Sequence, residues 1–342
     1  MRDLNKKLLL VAIGTLLAVA GAELIVRFGL EPPARGNITP VPREITQPST
    51  VPDLPYVLLP DAEVKHAFPS NPRGYFDADG TLTYRTNSLG FRSPETTRER
   101  PDGVFRILGV GDSFTFGTGV RQEHTFLARL DERLAQADGP ERYEVLNLGV
   151  MGYNTPQEMA LLEHVGPDLD AQLVIVCLFL NDMEGGGTHA LFNVDAKRSR
   201  LARHSKLADR VAWMLQRKRQ IADLTASYHA SFATDSAGWL LAQRLLVETR
   251  ARLEARETKL VLMIFPVLWD LGESYPFKAV HGTVSEFARE NGIPFLDLLP
   301  AFEGRNGPEL WVHPTNQHPN EEGHAIAGDA LYDFLTESSL LQ

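Results

Sequence analysis

Phe105-Arg106-Ile107-Leu108-Gly109-Val110-Gly111-Asp112-Ser113-Phe114-Thr115-Phe116-Gly117 is the stretch that decides how this chain is read. Its first five residues form a short run that reads as a buried strand, and a glycine-rich turn comes directly after it. A serine just past the carboxyl end of a strand stands where open α/β sheets carry their sites. Outward from this stretch, strand-like and helix-like segments alternate. Tyr143 to Leu146, Leu173 to Leu180, Leu260 to Phe265 and Pro294 to Leu296 read as strands. His124 to Gln136 reads as a helix with Phe126, Leu127, Leu130 and Leu134 on one face, and a last helix runs from about Asn320 to Leu335. Another helix opens at Thr155-Pro156-Gln157-Glu158, where Thr, Pro and Glu fit the cap, first-turn and capping-box positions. Such alternation predicts a parallel α/β sheet.

Three more segments, each just after or ending its predicted strand or near the C-terminus, complete a pattern with the Gly-Asp-Ser turn. They are Asn147-Leu148-Gly149-Val150-Met151-Gly152, Asn181-Asp182, and His313-Pro314-Thr315-Asn316-Gln317-His318-Pro319-Asn320. In this order and spacing the four blocks resemble those of the SGNH (GDSL-type) hydrolase superfamily, over roughly residues 105 to 334. The resemblance implies a three-layer α/β/α sandwich around a mostly parallel sheet, and a serine ester hydrolase that needs no cofactor. It implies Ser113 as nucleophile and His318 as the base that takes its proton, since a serine hydroxyl is inert at neutral pH without such help. It also implies an oxyanion hole made of the Ser113 N–H, the Gly152 N–H and the Asn181 side-chain amide.

One position departs from the family pattern. An aspartate usually stands three residues before the histidine; here that position is Thr315, the next is Asn316, and no carboxylate lies between Glu309 and His318. Three arrangements are open. Asn316, Thr315 or a backbone carbonyl orients His318 in a working dyad; a remote acid, with Asp297 and Glu321 the nearest candidates, completes a triad; or the enzyme is weak or inactive. A metal is not expected at His313, His318 and His324, because no Cys or HExxH motif accompanies them.

Arg2, Lys6 and Lys7 precede an uncharged run from Leu8 to Ala22, followed by Glu23 and another apolar stretch. A positive end before an apolar run holds the N-terminus in the cytoplasm and sends the rest of the chain across. Residues 1–30 therefore read as a membrane anchor or, given Ala18-Val19-Ala20 and Ala20-Gly21-Ala22, as a cleaved signal peptide. The expected address is the inner membrane with the catalytic domain extracytoplasmic, or the periplasm or exterior after cleavage. Residues 31–55, with seven prolines, read as an extended tether. Residues 56–103 read as an extension with a hairpin turn at Asp79-Gly80, and its segment Arg85 to Arg92 resembles one carried by membrane-anchored members of that superfamily. Packing beside the catalytic domain and a plain connection are both open for it. Residues 104–338 read as the hydrolase-like domain, interrupted at about 183–239 by a helical insertion. Lys197, Arg198, Arg200, Arg203, Lys206, Arg210, Arg217, Lys218 and Arg219 make the insertion basic, as a solvated helix face, a lid, or a docking surface for an anionic polysaccharide or lipid headgroup.

A net charge of -10 argues against nucleic acid as a partner. The lone cysteine, Cys177, falls in a predicted buried strand and cannot form an intrachain disulfide. The expected substrate is an O-acyl, above all O-acetyl, ester of an envelope or extracellular polysaccharide. Transfer of the acyl group to a sugar hydroxyl, and a non-catalytic carbohydrate-binding role prompted by the missing aspartate, are the alternatives.

Overall fold

The computed structural model describes residues 2–30, 43–137, 141–183 and 200–341. The chain divides into two compact units, Met1–Ile38 with Ala190–Leu224, and Thr39–His189 with Thr225–Gln342. The larger unit is built on five parallel strands. These are β5 (Val104–Gly111), β6 (Arg142–Asn147), β7 (Leu173–Leu178), β8 (Lys259–Ile264) and β9 (Phe295–Asp297), in the order β6-β5-β7-β8-β9. β7 is buried along its whole length, as a strand covered on both faces must be. Helices flank both faces. On β5 the adjacent residues Gly109 and Leu108 face opposite ways: Gly109 lies against Leu127, while Leu108 lines a cavity with Met159, Leu162 and Leu253. Leu127 belongs to α3 (Phe126–Ala135), which packs on α10 (Glu321–Glu337). Met159 and Leu162 lie on α4 (Thr155–Leu169) and Leu253 on α7 (Ala237–Glu254), and these two helices pack together.

The chain runs from β5 outward to β6 and then back past β5 to β7, so the strand order reverses beside β5. The crevice outside the carboxyl ends of the strands at such a reversal is where α/β sheets bind ligands. The four-residue α2 (Ser113–Phe116) starts there. The remaining elements are α8 (Lys278–Glu290), α9 (Leu299–Phe302) and a short antiparallel hairpin, β10 (Trp311–His313) with β11 (Asn316–Pro319).

Three expectations from the sequence shift. The helix at Thr155 is capped one residue earlier: Asn154 accepts from the Gln157 N–H and Gln157 returns the bond, while Glu158 is buried. The folded body begins before residue 56, because β1 (Thr46–Pro48) pairs with β2 (Tyr56–Leu58) and Ile45 and Leu54 are buried. Residues 31–42 of the expected tether lie outside the described residues. The insertion ends before α7, whose Trp239 is fully buried and which serves as the crossover from β7 to β8.

In the extension, β3 (Glu63–Ala67) pairs antiparallel with β4 (Thr81–Arg85). The Asp79-Gly80 turn sits just before β4, closed by the Gly80 N–H to Asp77 carbonyl bond of 2.8 Å.

The smaller unit holds α1 (Arg2–Gly29), whose segment Asp3–Gly29 is long and apolar enough to cross a membrane. It also holds α5 (Arg200–His204) and most of α6 (Lys206–Ser231). Residues 184–199, with Lys197 and Arg198, lie outside the described residues.

Candidate active site

Ser113 opens α2, and the Asp112 carboxylate caps that turn by accepting the Phe114 N–H at 2.8 Å. Gly111 permits the tight passage from β5, since a Cβ there would collide with Thr115 Oγ1 and the Cys177 carbonyl. The turn is held from behind by residues for which the sequence alone suggests no role. Asn147, ending β6, donates from Nδ2 to the Thr115 carbonyl (2.8 Å) and accepts the Gly149 N–H (2.9 Å). Arg92 is 1% exposed and donates to the carbonyls of Phe116, Gly117 and Val120 at 2.5–2.6 Å. Its guanidinium also lies over the Tyr84 and Phe116 rings, 4.8 and 4.6 Å from their centroids. Burial pulls the Arg92 pKa down to about 10, so it stays charged at neutral pH. Segment 85–92 is thus packed into the catalytic body.

The β10–β11 hairpin brings His318 to Ser113. The Ser113 hydroxyl lies 2.7 Å from His318 Nε2, and His318 Nδ1 lies 2.6 Å from Asn316 Oδ1. The His318 backbone N–H also donates to Asn316 Oδ1, at 3.2 Å. That bond fixes which end of the amide faces the ring, because a backbone N–H needs an acceptor. Nδ1 therefore carries the proton, and the free lone pair of Nε2 faces the serine. Burial lowers the His318 pKa to about 4, so the ring is neutral at pH 7.

The other candidates for orienting His318 are engaged elsewhere. The Thr315 hydroxyl lies 2.7 Å from His313 Nδ1, whose Nε2 lies 2.8 Å from Ser70 Oγ. Asp297 is 2.7 Å from His281 Nδ1, and Glu321 pairs with Arg73. His324 accepts the Phe126 N–H in the core, so His313, His318 and His324 serve three separate sets of partners.

Gly152 and Asn181 come after β6 and β7, on the two sides of Ser113. Gly152 has a φ of 79°, which a Cβ would strain. Its loop is clamped by the extension: the Tyr56 hydroxyl donates to the Met151 carbonyl at 2.6 Å, and the Tyr153 hydroxyl donates to the Tyr56 carbonyl. Asn181 is half-buried, with an Oδ1 that has no hydrogen-bond partner among the described residues. Next to it, Asp182 accepts the Phe179 N–H at 2.6 Å.

Nothing in the sequence signals that Asp112, Glu158 and Asp182 share one buried patch beneath the serine. Each is at most 1% exposed, and neither carboxyl oxygen of Glu158 has a hydrogen-bond partner among the described residues. Burial raises all three pKa values, that of Asp112 to about 6, and Asp112 and Glu158 push Asp182 up further.

The family model for the GDSL-like lipase/acylhydrolase family matches residues 110–326, from the strand before Ser113 to the last helix. The chain belongs to that family. As a GDSL-type acylhydrolase its activity class is cleavage of esters. A search of curated protein sequences gives no match. Among solved structures, TesA is 17% identical, covering 68% of this chain and 98% of its own, with a TM-score of 0.44. The acetyl xylan esterase AlAXEase is 15% identical over 67% of this chain and 98% of its own, with a TM-score of 0.43. The psychrotrophic esterase EstA from Pseudoalteromonas sp. is 15% identical over 68% of this chain and 98% of its own, with a TM-score of 0.42.

Proposed function

We propose that the protein is a membrane-anchored serine ester hydrolase working through a Ser113–His318–Asn316 relay. The observation that carries this reading is the unbroken chain of contacts from the serine hydroxyl through both imidazole nitrogens to Asn316 Oδ1. His318 Nε2 takes the Ser113 proton as Oγ attacks the ester carbonyl carbon. The charge on the carbonyl oxygen is met by the Ser113 and Gly152 N–H groups and the Asn181 amide. The imidazolium then gives its proton to the departing alkoxide, leaving an acyl-enzyme. Water attacks that ester with His318 again as base, and carboxylic acid and free serine result. An intact relay supports this reading over a non-catalytic role.

Retention of α1 as an anchor is supported by Glu23, whose carboxylate accepts the Lys206 and Leu207 N–H groups at 2.9 Å. Cleavage after Ala20 or Ala22 would leave Glu23 at or next to a new N-terminus and strip away the helical turns of α1 that precede it. Arg2, Lys6 and Lys7 ahead of the apolar run support an extracytoplasmic domain. At that address, O-acetyl esters of envelope or extracellular polysaccharides are the first substrates to test. Transfer to a sugar hydroxyl would use the same residues.

The test is hydrolysis of p-nitrophenyl acetate by the purified full-length protein, with fluorophosphonate labelling of the serine. Ser113→Ala is expected to abolish both while leaving the fold intact, since alanine suits the same turn. Activity within a few-fold of the parent would remove Ser113 from the nucleophile role. An alkaline phosphatase fusion after Pro55 reports the side of the membrane, and an inactive, well-expressed fusion would refute export.

A further inference from the structure

We infer that α6 of the insertion lies on the bilayer surface where α1 leaves the membrane, and that its exposed face binds anionic lipid headgroups. The inference rests on the proposed anchoring of α1.

The first observation is the tie between the two helices. Near the C-terminal end of α1, Glu23 accepts the Ser205 hydroxyl at 2.8 Å and the first two N–H groups of α6. Arg27, one turn on, pairs with the same carboxylate at 2.8 Å and reaches the His204 carbonyl at 3.4 Å. A carboxylate in an otherwise apolar spanning segment needs such partners, and the orphan N–H groups of a helix start supply them. The tie places the start of α6 at the depth of Glu23, at one end of the apolar segment.

The second observation is what α6 leaves uncovered. Val211, Met214, Leu215, Lys218 and Ala222 are spaced by three, four, seven and eleven residues from Val211, so they share one face. All five are exposed, Val211 at 47%, Met214 at 57% and Leu215 at 58%, and Leu201 on α5 is 68% exposed. Such an apolar face is costly in water and fits the boundary between headgroups and acyl chains.

The third is charge. The whole chain is acidic, yet residues 197–219 hold nine Lys or Arg against a single acidic residue, Asp209, which is buried. Arg203, Lys206, Lys218 and Arg219 are exposed. A lysine inside the apolar face can lay its methylene stem along lipid while its ammonium meets phosphate. Basic residues beside a spanning helix are the chemistry that recognises anionic lipid.

The test places one nitroxide at a time on the full-length protein, through Leu17→Cys in α1, Met214→Cys in α6 and Arg244→Cys on α7 as a water-facing control. The native Cys177 is buried and stays in place. Proteins are reconstituted in phosphatidylglycerol-containing or pure phosphatidylcholine vesicles, and collisions with oxygen and with a water-soluble nickel chelate are compared. The expected result is a deep Leu17 label and a Met214 label several-fold more open to oxygen than to nickel, more so with phosphatidylglycerol. Glu23→Ala should move the Met214 label toward water. A deep Leu17 label with Met214 open to nickel in both lipids, or closed to both reagents by protein, overturns the inference and spares the anchor. Equal Met214 values in the two lipids overturn the anionic preference. A water-exposed Leu17 label overturns the anchor, and the inference with it.

Discussion

Asn316→Asp tests the relay at the position where the structure puts the weight. The substitution turns the acceptor 2.6 Å from His318 Nδ1 into a carboxylate while leaving its shape almost unchanged. The amide nitrogen it replaces is buried and has no hydrogen-bond partner among the described residues, so no bond is lost there. When His318 takes the serine proton, the imidazolium gains an opposite charge whose centre lies roughly 4 Å away. At an effective dielectric near 20 that is worth about 4 kcal/mol, an upper bound because the carboxylate must itself be buried. A neighbouring opposite charge typically moves a pKa by about one to three units, each worth about 1.4 kcal/mol. In the parent, the acid limb of the kcat/KM profile should fall near pH 4, where burial places His318. In Asn316→Asp that limb should rise by about one to three pH units, and kcat above it should rise about 10- to 1,000-fold. The assay is p-nitrophenyl acetate hydrolysis from pH 3.5 to 9, with denaturation checked at each pH. A limb and a kcat that both stay put would show that residue 316 does not govern the His318 ring.

Thr315→Asp, though it restores the usual spacing of the family, should leave kcat within a few-fold, because residue 315 faces His313 at 2.7 Å; a large gain would mean the loop turns over in solution. Arg92→Met should destabilise the protein by about 3 kcal/mol or more in urea titration and lower kcat, since three buried carbonyls lose their donor. Unchanged stability would mean that other groups satisfy them. Glu158→Gln should stabilise the protein at pH 8 and much less near pH 4. A carboxyl whose folded pKa is raised holds its proton better when folded, so it costs stability as pH rises from its unfolded value through the folded one. A Tm gain that is the same at both pH values would refute that assignment. His318 and His324, whose pKa values burial lowers, act in the opposite direction, favouring unfolding as pH falls from about 6.5 toward 4.

The parallel sheet was legible because buried strands are written as local runs such as Leu173 to Leu178, and their alternation with amphipathic helices admits few architectures. Ser113 and His318 were legible as residues, although 205 positions separate them, through their place in the four blocks. The partner of His318 was not legible. Asn316 and Thr315 both have short polar side chains, and only the path of the β10–β11 hairpin decides that one faces His318 and the other His313. The helix cap at Asn154 was missed for a similar reason, since Asn154 and Thr155 are both good caps and the local pattern tolerates either register. Glu158 looked like a surface capping-box residue because sequence carries the charge but not the burial that neutralises it.

Residues 43–103 look in sequence like a preface to the enzyme, yet they contact three of the segments that the proposed mechanism uses. Arg92 holds the carbonyls at the end of α2, Tyr56 holds the Met151-Gly152-Tyr153 loop, and Ser70 fixes His313 beside the turn of the hairpin that carries His318. Each tie joins a side chain or carbonyl of the extension to a group of the catalytic body, so the extension and the body have to fold as one unit. A buried arginine bonded only to carbonyls and aromatic faces is costly to leave half-satisfied, which makes the extension more than a spacer. Removing residues 43–103 should therefore unfold the catalytic body, whereas a true tether could be shortened with little effect. Expression of residues 104–342 as a soluble, cooperatively unfolding and fully active esterase would show that these contacts are dispensable.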